Sequence, residues 1–118
     1  MRKERSMSQI VWKDFQKVEL REGTIVDVQN LPEARRPAYK LQVDFGQEIG
    51  VKKSSAQITD LYTKEDLLGK QVMAVVNYPP KQIGPIISEC LVTGFHREEG
   101  AVVLATPDMN LQNRARLA

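Results

Sequence analysis

Residues 71–94 read QVMAVVNYPPKQIGPIISECLVTG, and the fold turns on this stretch. Gln71-Val72-Met73-Ala74-Val75-Val76 is apolar at nearly every position, the pattern of a strand buried on both faces. Pro79 and Pro80 stop it. Neither can donate a ladder hydrogen bond and each fixes its own φ, so beyond Asn77 and Tyr78 the chain becomes a stiff lip. Residues 81–85 (KQIGP) read as a loop, and residues 86–93 as the returning strand. In that strand Ser88 and Glu89 sit amid Ile86, Ile87, Leu91 and Val92, and they need polar partners if the strand is central. A buried strand, a rigid polar lip and a polar-centred return strand point to a binding site.

Upstream of this stretch, residues 57–70 (QITDLYTKEDLLGK) are the internal helix candidate. Ile58, Leu61, Leu67 and Leu68 form its apolar set, Thr63 or Thr59 can cap it, and Gly69 stops it. Residues 39–46 alternate cleanly: Tyr39, Leu41, Val43 and Phe45 fall on one face and Lys40, Gln42 and Asp44 on the other. Residues 48–56 (EIGVKKSSA) continue as a third strand whose alternation decays at Lys52-Lys53-Ser54-Ser55, where it either ends or turns toward something polar. Residues 31–38 (LPEARRPA) are a loop by their two prolines. Residues 18–30 form the first strand, with Leu20, Thr24, Val26 and Val28 assigned to the core and Gly23 marking a bulge or bend. Beyond the central pair, residues 96–100 (HREEG) turn and residues 101–106 (AVVLAT) close the sheet.

The order is three strands, a helix, then two or three strands. A helix between the third and fourth strands of a small all-β domain is the layout of the OB-fold, a partly open five-stranded Greek-key barrel. At 118 residues and 42% hydrophobic composition the chain is expected to bury one core, a single domain spanning residues 1–118. Within it the barrel spans 18–107, with an N-terminal extension (1–17) and a C-terminal tail (108–118).

Composition narrows the function classes. No run approaches the roughly 20 apolar residues of a membrane span, so no membrane insertion is expected. The start Met1-Arg2-Lys3-Glu4-Arg5 is basic, but residues 6–14 supply no apolar signal core. Cys90 is the single cysteine, which excludes an internal disulfide, suits packing better than a reactive thiol and fits a cytoplasmic location. One His and one Cys cannot assemble a Cys/His or multi-His metal site, and no Walker-type loop or HExxH motif is present. A carboxylate pair of Glu89 with Asp44 or Glu48 is conceivable, but a structural bond from Glu89 to Asn77, Ser88 or Lys81 accounts for it as easily. No catalytic activity, metal or cofactor is expected.

Seventeen basic and fifteen acidic residues leave a net charge of +2, too little to announce a nucleic-acid binder. The distribution says more, because Arg35, Arg36, Lys52, Lys53 and Lys81 fall in or beside loops and strand ends. In OB topology the loops joining strands one and two and strands four and five flank one surface. These cations are therefore expected to converge with Ser54, Ser55, Asn77, Tyr78, Pro79, Pro80, Ser88 and Glu89; the alternative is solvated charge without a common face. Of seven aromatic residues, Tyr39, Phe45 and Phe95 are assigned to the core, although Tyr39 or Tyr78 could offer a stacking face to RNA.

Ile10, Val11, Trp12 and Phe15, at the spacing of a short amphipathic helical turn, precede the barrel. Met109, Leu111 and Leu117 follow it. Segments this short build no core of their own, and a two-fold contact would bury both patches at once, so a homodimer seamed by the chain ends is expected. The competing arrangement folds the N-terminal turn over an open end of its own barrel.

Several segments also carry a family resemblance. Leu20-Arg21-Glu22-Gly23-Thr24-Ile25-Val26, the Asn77-Tyr78-Pro79-Pro80 lip and Ser88-Glu89 before an apolar strand resemble the tRNA-binding OB domain appended to some aminoacyl-tRNA synthetases. Pro32-Glu33-Ala34-Arg35, residues 41–50 with Asp44-Phe45-Gly46, and Ser54-Ser55-Ala56-Gln57-Ile58-Thr59 are similar to its stand-alone subgroup of bacterial secretion-related chaperones. The resemblance covers residues 13–118 and departs at Gln82, where the subgroup has a second basic residue. It departs again at Gly84-Pro85, and at Asn113-Arg114 in place of an Asn-Gly turn. It implies a homodimeric, non-catalytic protein that holds unfolded preproteins or peptides for the export machinery, with tRNA or structured RNA as the alternative ligand.

Overall fold

A computed structural model describes residues 7–112 and 115–117; the basic start and the Asn113-Arg114 turn lie outside the described residues. In chain order the elements are α1 (Trp12–Gln16), β1 (Leu20–Asn30), β2 (Tyr39–Asp44), β3 (Val51–Ala56), α2 (Lys64–Leu67), β4 (Gln71–Val75), β5 (Lys81–Ile83), β6 (Ile86–Ser88), β7 (Leu91–Val92), β8 (Gly94–His96) and β9 (Val102–Leu104).

The alternation of β2 carries the core. Tyr39, Leu41, Val43 and Phe45 are all buried, and they meet Ile25, Ile58, Leu67, Val72, Ala74, Cys90 and Leu104 in one cluster. β1 pairs antiparallel with β2 on one side and β4 on the other, giving a five-stranded sheet in the order β3-β2-β1-β4-β7. Its edges meet through bonds that are partly side-chain in origin. Glu89 N donates to Lys53 O (2.7 Å), and Lys53 N donates to the Glu89 carboxylate (3.0 Å). Ser54 Oγ donates to Cys90 O (3.1 Å), and Ser55 N donates to Ser88 Oγ (3.4 Å). With α2 between β3 and β4, this nearly closed five-stranded barrel is an OB-fold.

Four expectations are corrected. In β1 the core residue is Ile25, while Val26 is 45% exposed, because the register to β2 slips by one residue between Ile25 and Asp27. Such a bulge reverses which face each following side chain takes. Gly23 lies just before it and serves close packing: a Cβ there would sit 2.6 Å from Val43 Cγ1 and 2.7 Å from the Phe45 ring. The internal helix covers only Lys64–Leu67, held by reciprocal bonds between Thr63 and Asp66 and stopped at Gly69 with φ +85. Residues 81–85 are not loop throughout. β5 and β6 form a hairpin whose two-residue turn puts Gly84 at φ +55 ahead of Pro85, the order a type II′ turn requires. Finally, the return strand breaks into β6 and β7, since the backbone of Glu89 between them bonds to Lys53 instead.

A second small cluster positions the site. Leu31 and Ala38, from the β1–β2 loop, bury against Ile86 of the hairpin, with Ala34 and Ile83 packed alongside. The loop that carries Arg35 is thereby fixed to the hairpin that begins at Lys81.

Candidate ligand-binding grooves

Between that loop, the proline lip and the β5–β6 hairpin lies an open groove of about 950 Å³. Arg35, Ser55, Tyr78, Pro79, Lys81 and Ser88 line it, as do Glu33, Gln57, Ile83 and Leu91, which residue-by-residue reading had not singled out. A neighbouring groove of about 640 Å³ holds Arg36, Thr59, Asp60, Thr93, His96 and Val102. Ser55, Gln57 and Leu91 line both.

Lys52, Lys53, Pro80, Asn77 and Glu89 line neither groove. Glu89 and Ser54 join the barrel edges, as described above. Asn77 straps the N-terminal segment to the lip: its Nδ2 donates to Lys17 O (2.7 Å) and its Oδ1 accepts from Glu19 N (3.0 Å). Among the aromatics, Tyr39 is buried with its hydroxyl donating to Tyr62 O (2.8 Å), so it offers no stacking face. Tyr78 is 54% exposed on the groove wall. Phe95 is 71% exposed rather than core. The hairpin β8–β9 is set by Gly94, where a Cβ would lie 2.7 Å from Val102 Cγ1, and the adjacent Phe95 takes the opposite face.

Among the described residues, Lys17, Arg21, Arg97 and Arg116 pair with acidic side chains, whereas Arg35, Arg36 and Lys81 do not. The groove cations therefore have no ion-pair partner among the described residues. Cys90, also lining the first groove, is a buried thiol pushed up to about 11 by desolvation, so it remains protonated and a poor nucleophile at neutral pH.

The chain ends meet on the first half of β1. Glu22 N donates to Ala115 O (2.8 Å), Leu117 N donates to Leu20 O (2.9 Å), and Arg116 reaches both Glu19 and Gln16 O. Gln71 holds both backbone groups of Leu111. Ile10, Val11, Trp12, Met109, Leu111 and Leu117 are exposed, and Phe15, half-buried, stacks obliquely on Trp12 at 5.6 Å. Glu22 is 3% exposed, and neither carboxylate oxygen has a hydrogen-bond partner among the described residues. Burial first, and Asp44 second, raise this carboxyl from 4.5 to about 7.

The model of the family described as "Putative tRNA binding domain" matches residues 20–115. The chain belongs to this family. Methionine–tRNA ligase of Thermococcus onnurineus is 35% identical over 108 residues, which are 92% of this chain but 14% of the ligase. The chain thus spans a small part of the ligases it matches. Two solved structures are similar over nearly its whole length. The CsaA chaperone protein of Picrophilus torridus is 47% identical with a TM-score of 0.87, over 93% of this chain and 100% of that one. Chaperone CsaA of Bacillus anthracis str. Ames is 46% identical with a TM-score of 0.88, over 94% and 100%. In this family member, as in any chain built on the fold, function has to be argued from the site. Among the described residues, no helix is long and apolar enough to cross a membrane.

Proposed function

We propose that this protein is a non-catalytic chaperone that binds unfolded polypeptide in the first groove and holds preproteins for export in the cytoplasm. The observation that carries this reading is the groove's make-up. Tyr78, Pro79, Ile83 and Leu91 give it an apolar lining, while Arg35 and Lys81, without an ion-pair partner among the described residues, supply its positive charge. An open, apolar, cation-rimmed trough accepts an extended chain with acidic flanks without demanding one sequence. The similarity to CsaA chaperones over nearly the whole chain supports it. Function as a homodimer belongs to the same proposal, supported by the exposure of the apolar side chains of Ile10, Val11 and Trp12 before the barrel and of Met109, Leu111 and Leu117 after it.

Fluorescence anisotropy of a labelled, chemically unfolded polypeptide tests the reading. Binding that weakens on Lys81→Glu and Leu91→Asp supports it; wild-type protein that leaves the label free refutes it.

A second reading, tRNA or structured RNA as ligand, is favoured by the family match and by the same groove cations. With Tyr39 and Phe45 buried, Tyr78 and Phe95 are the exposed rings beside the grooves, and recognition here would combine phosphate and shape contacts with stacking on them. It predicts RNA in gently purified protein and an affinity that falls steeply with salt, with the slope reduced by about one for each phosphate contact removed, as in Lys81→Ala. Client binding is less screened, because apolar burial does not depend on ionic strength in that way.

A further inference from the structure

We propose that the ligand occupies both grooves at once: an extended acidic–apolar polypeptide runs from the Tyr78–Lys81 side across Leu91 and ends against Arg36. This inference rests on the polypeptide-binding reading and extends it to the second groove. The two grooves are contiguous, since Ser55, Gln57 and Leu91 belong to the walls of both. Leu91 is 47% exposed at this shared wall, so the crossing point offers an apolar contact beside Ser55 and Gln57.

Charge is arranged to match. Arg35 and Lys81 serve the first groove and Arg36 the second, and none has an acidic partner among the described residues. Each groove also holds one carboxylate, Glu33 in the first and Asp60 in the second. The pattern so read is an apolar client residue over Leu91 with acidic residues on both sides, those nearest Arg36 placed away from Asp60.

The test uses the full chain and two fluorescein-labelled peptides without structure of their own. One is a decapeptide with a leucine pair at its centre and aspartates toward both ends; the other is the pentapeptide of its first half. Arg36 and Lys81 are both exposed, so charge reversal at either leaves the core intact, which a thermal melt confirms. Lys81→Glu is expected to weaken both peptides. Arg36→Glu is expected to weaken the decapeptide about tenfold or more, the scale of one lost charged contact, and to leave the pentapeptide within twofold. A decapeptide indifferent to Arg36→Glu, or a pentapeptide weakened equally, overturns occupancy of the second groove while polypeptide binding stands. If the wild-type chain binds neither peptide but does bind a tRNA transcript, the underlying reading fails and this inference falls with it.

Discussion

Replacing Glu22 by Gln removes an ionisable carboxyl that the fold buries without a hydrogen-bond partner among the described residues. Both oxygens of Glu22 lack hydrogen bonds among the described residues, the side chain is 3% exposed, and its carboxyl is raised from 4.5 to about 7. A carboxyl raised in the native state binds its proton more tightly folded than unfolded. Its contribution to stability is therefore complete below pH 4.5, is lost as pH rises toward 7, and stays lost above that. At about 1.4 kcal/mol per tenfold, the difference between pH 4 and pH 8 is about 3 kcal/mol. This is an upper bound, because relaxation that lets water reach the carboxylate reduces it. Gln cannot ionise, so Glu22→Gln should flatten this part of the pH dependence while leaving the rest of the titration curve in place. The assay is urea unfolding of wild type and variant at pH 4.5 and pH 8. Relative to wild type, the variant's midpoint should rise between the two pH values by on the order of 1 M. Parallel pH profiles for the two proteins would refute the reasoning.

Three further perturbations test the fold and its edges. Gly23→Ala places a Cβ 2.6 Å from Val43 Cγ1 and 2.7 Å from the Phe45 ring, and should cost about 1–3 kcal/mol in denaturant unfolding. Ser54→Ala removes the shorter of two donors to the carbonyl of Cys90 where β3 meets the segment before β7, leaving the 3.3 Å bond from Ser88 Oγ, and should cost about 0.5–1.5 kcal/mol by the same measurement. Trp12→Ala combined with Leu111→Ala should convert a dimer into a monomer in light scattering at micromolar concentration; a wild-type monomer, or a dimer that survives both substitutions, contradicts the proposed seam.

What the sequence made legible follows from how locally each feature is determined. β2 could be read outright because one face is core and the other polar, so alternation alone fixes Tyr39, Leu41, Val43 and Phe45. β1 could not be phased, because Ile25 and Val26 are adjacent apolar residues, and which of them turns inward depends on a bulge against β2. Thr63 and Gly69 mark the start and stop of a helix, yet the apolar residues before Thr63 extended the reading too far; Ile58 packs into the core without being helical. Ser88 and Glu89 signalled a need for polar partners. Those partners are Ser55 and Lys53, more than thirty residues away, and only barrel closure brings them there. The same closure explains the groove. Tyr78, Pro79 and Lys81 were legible from the proline lip, whereas Gln57 and Leu91 join them from separate segments with no local pattern to announce them.

The central claim, that the cation-rimmed groove holds unfolded polypeptide, is tested most directly by following aggregation of a chemically unfolded protein by light scattering. Wild type is compared in this assay with the double variant Lys81→Glu, Leu91→Asp. The account predicts that wild type suppresses aggregation at a near-stoichiometric ratio and that the double variant, with an unchanged thermal melt, does not. Equal suppression by both proteins, or none by wild type, would contradict it.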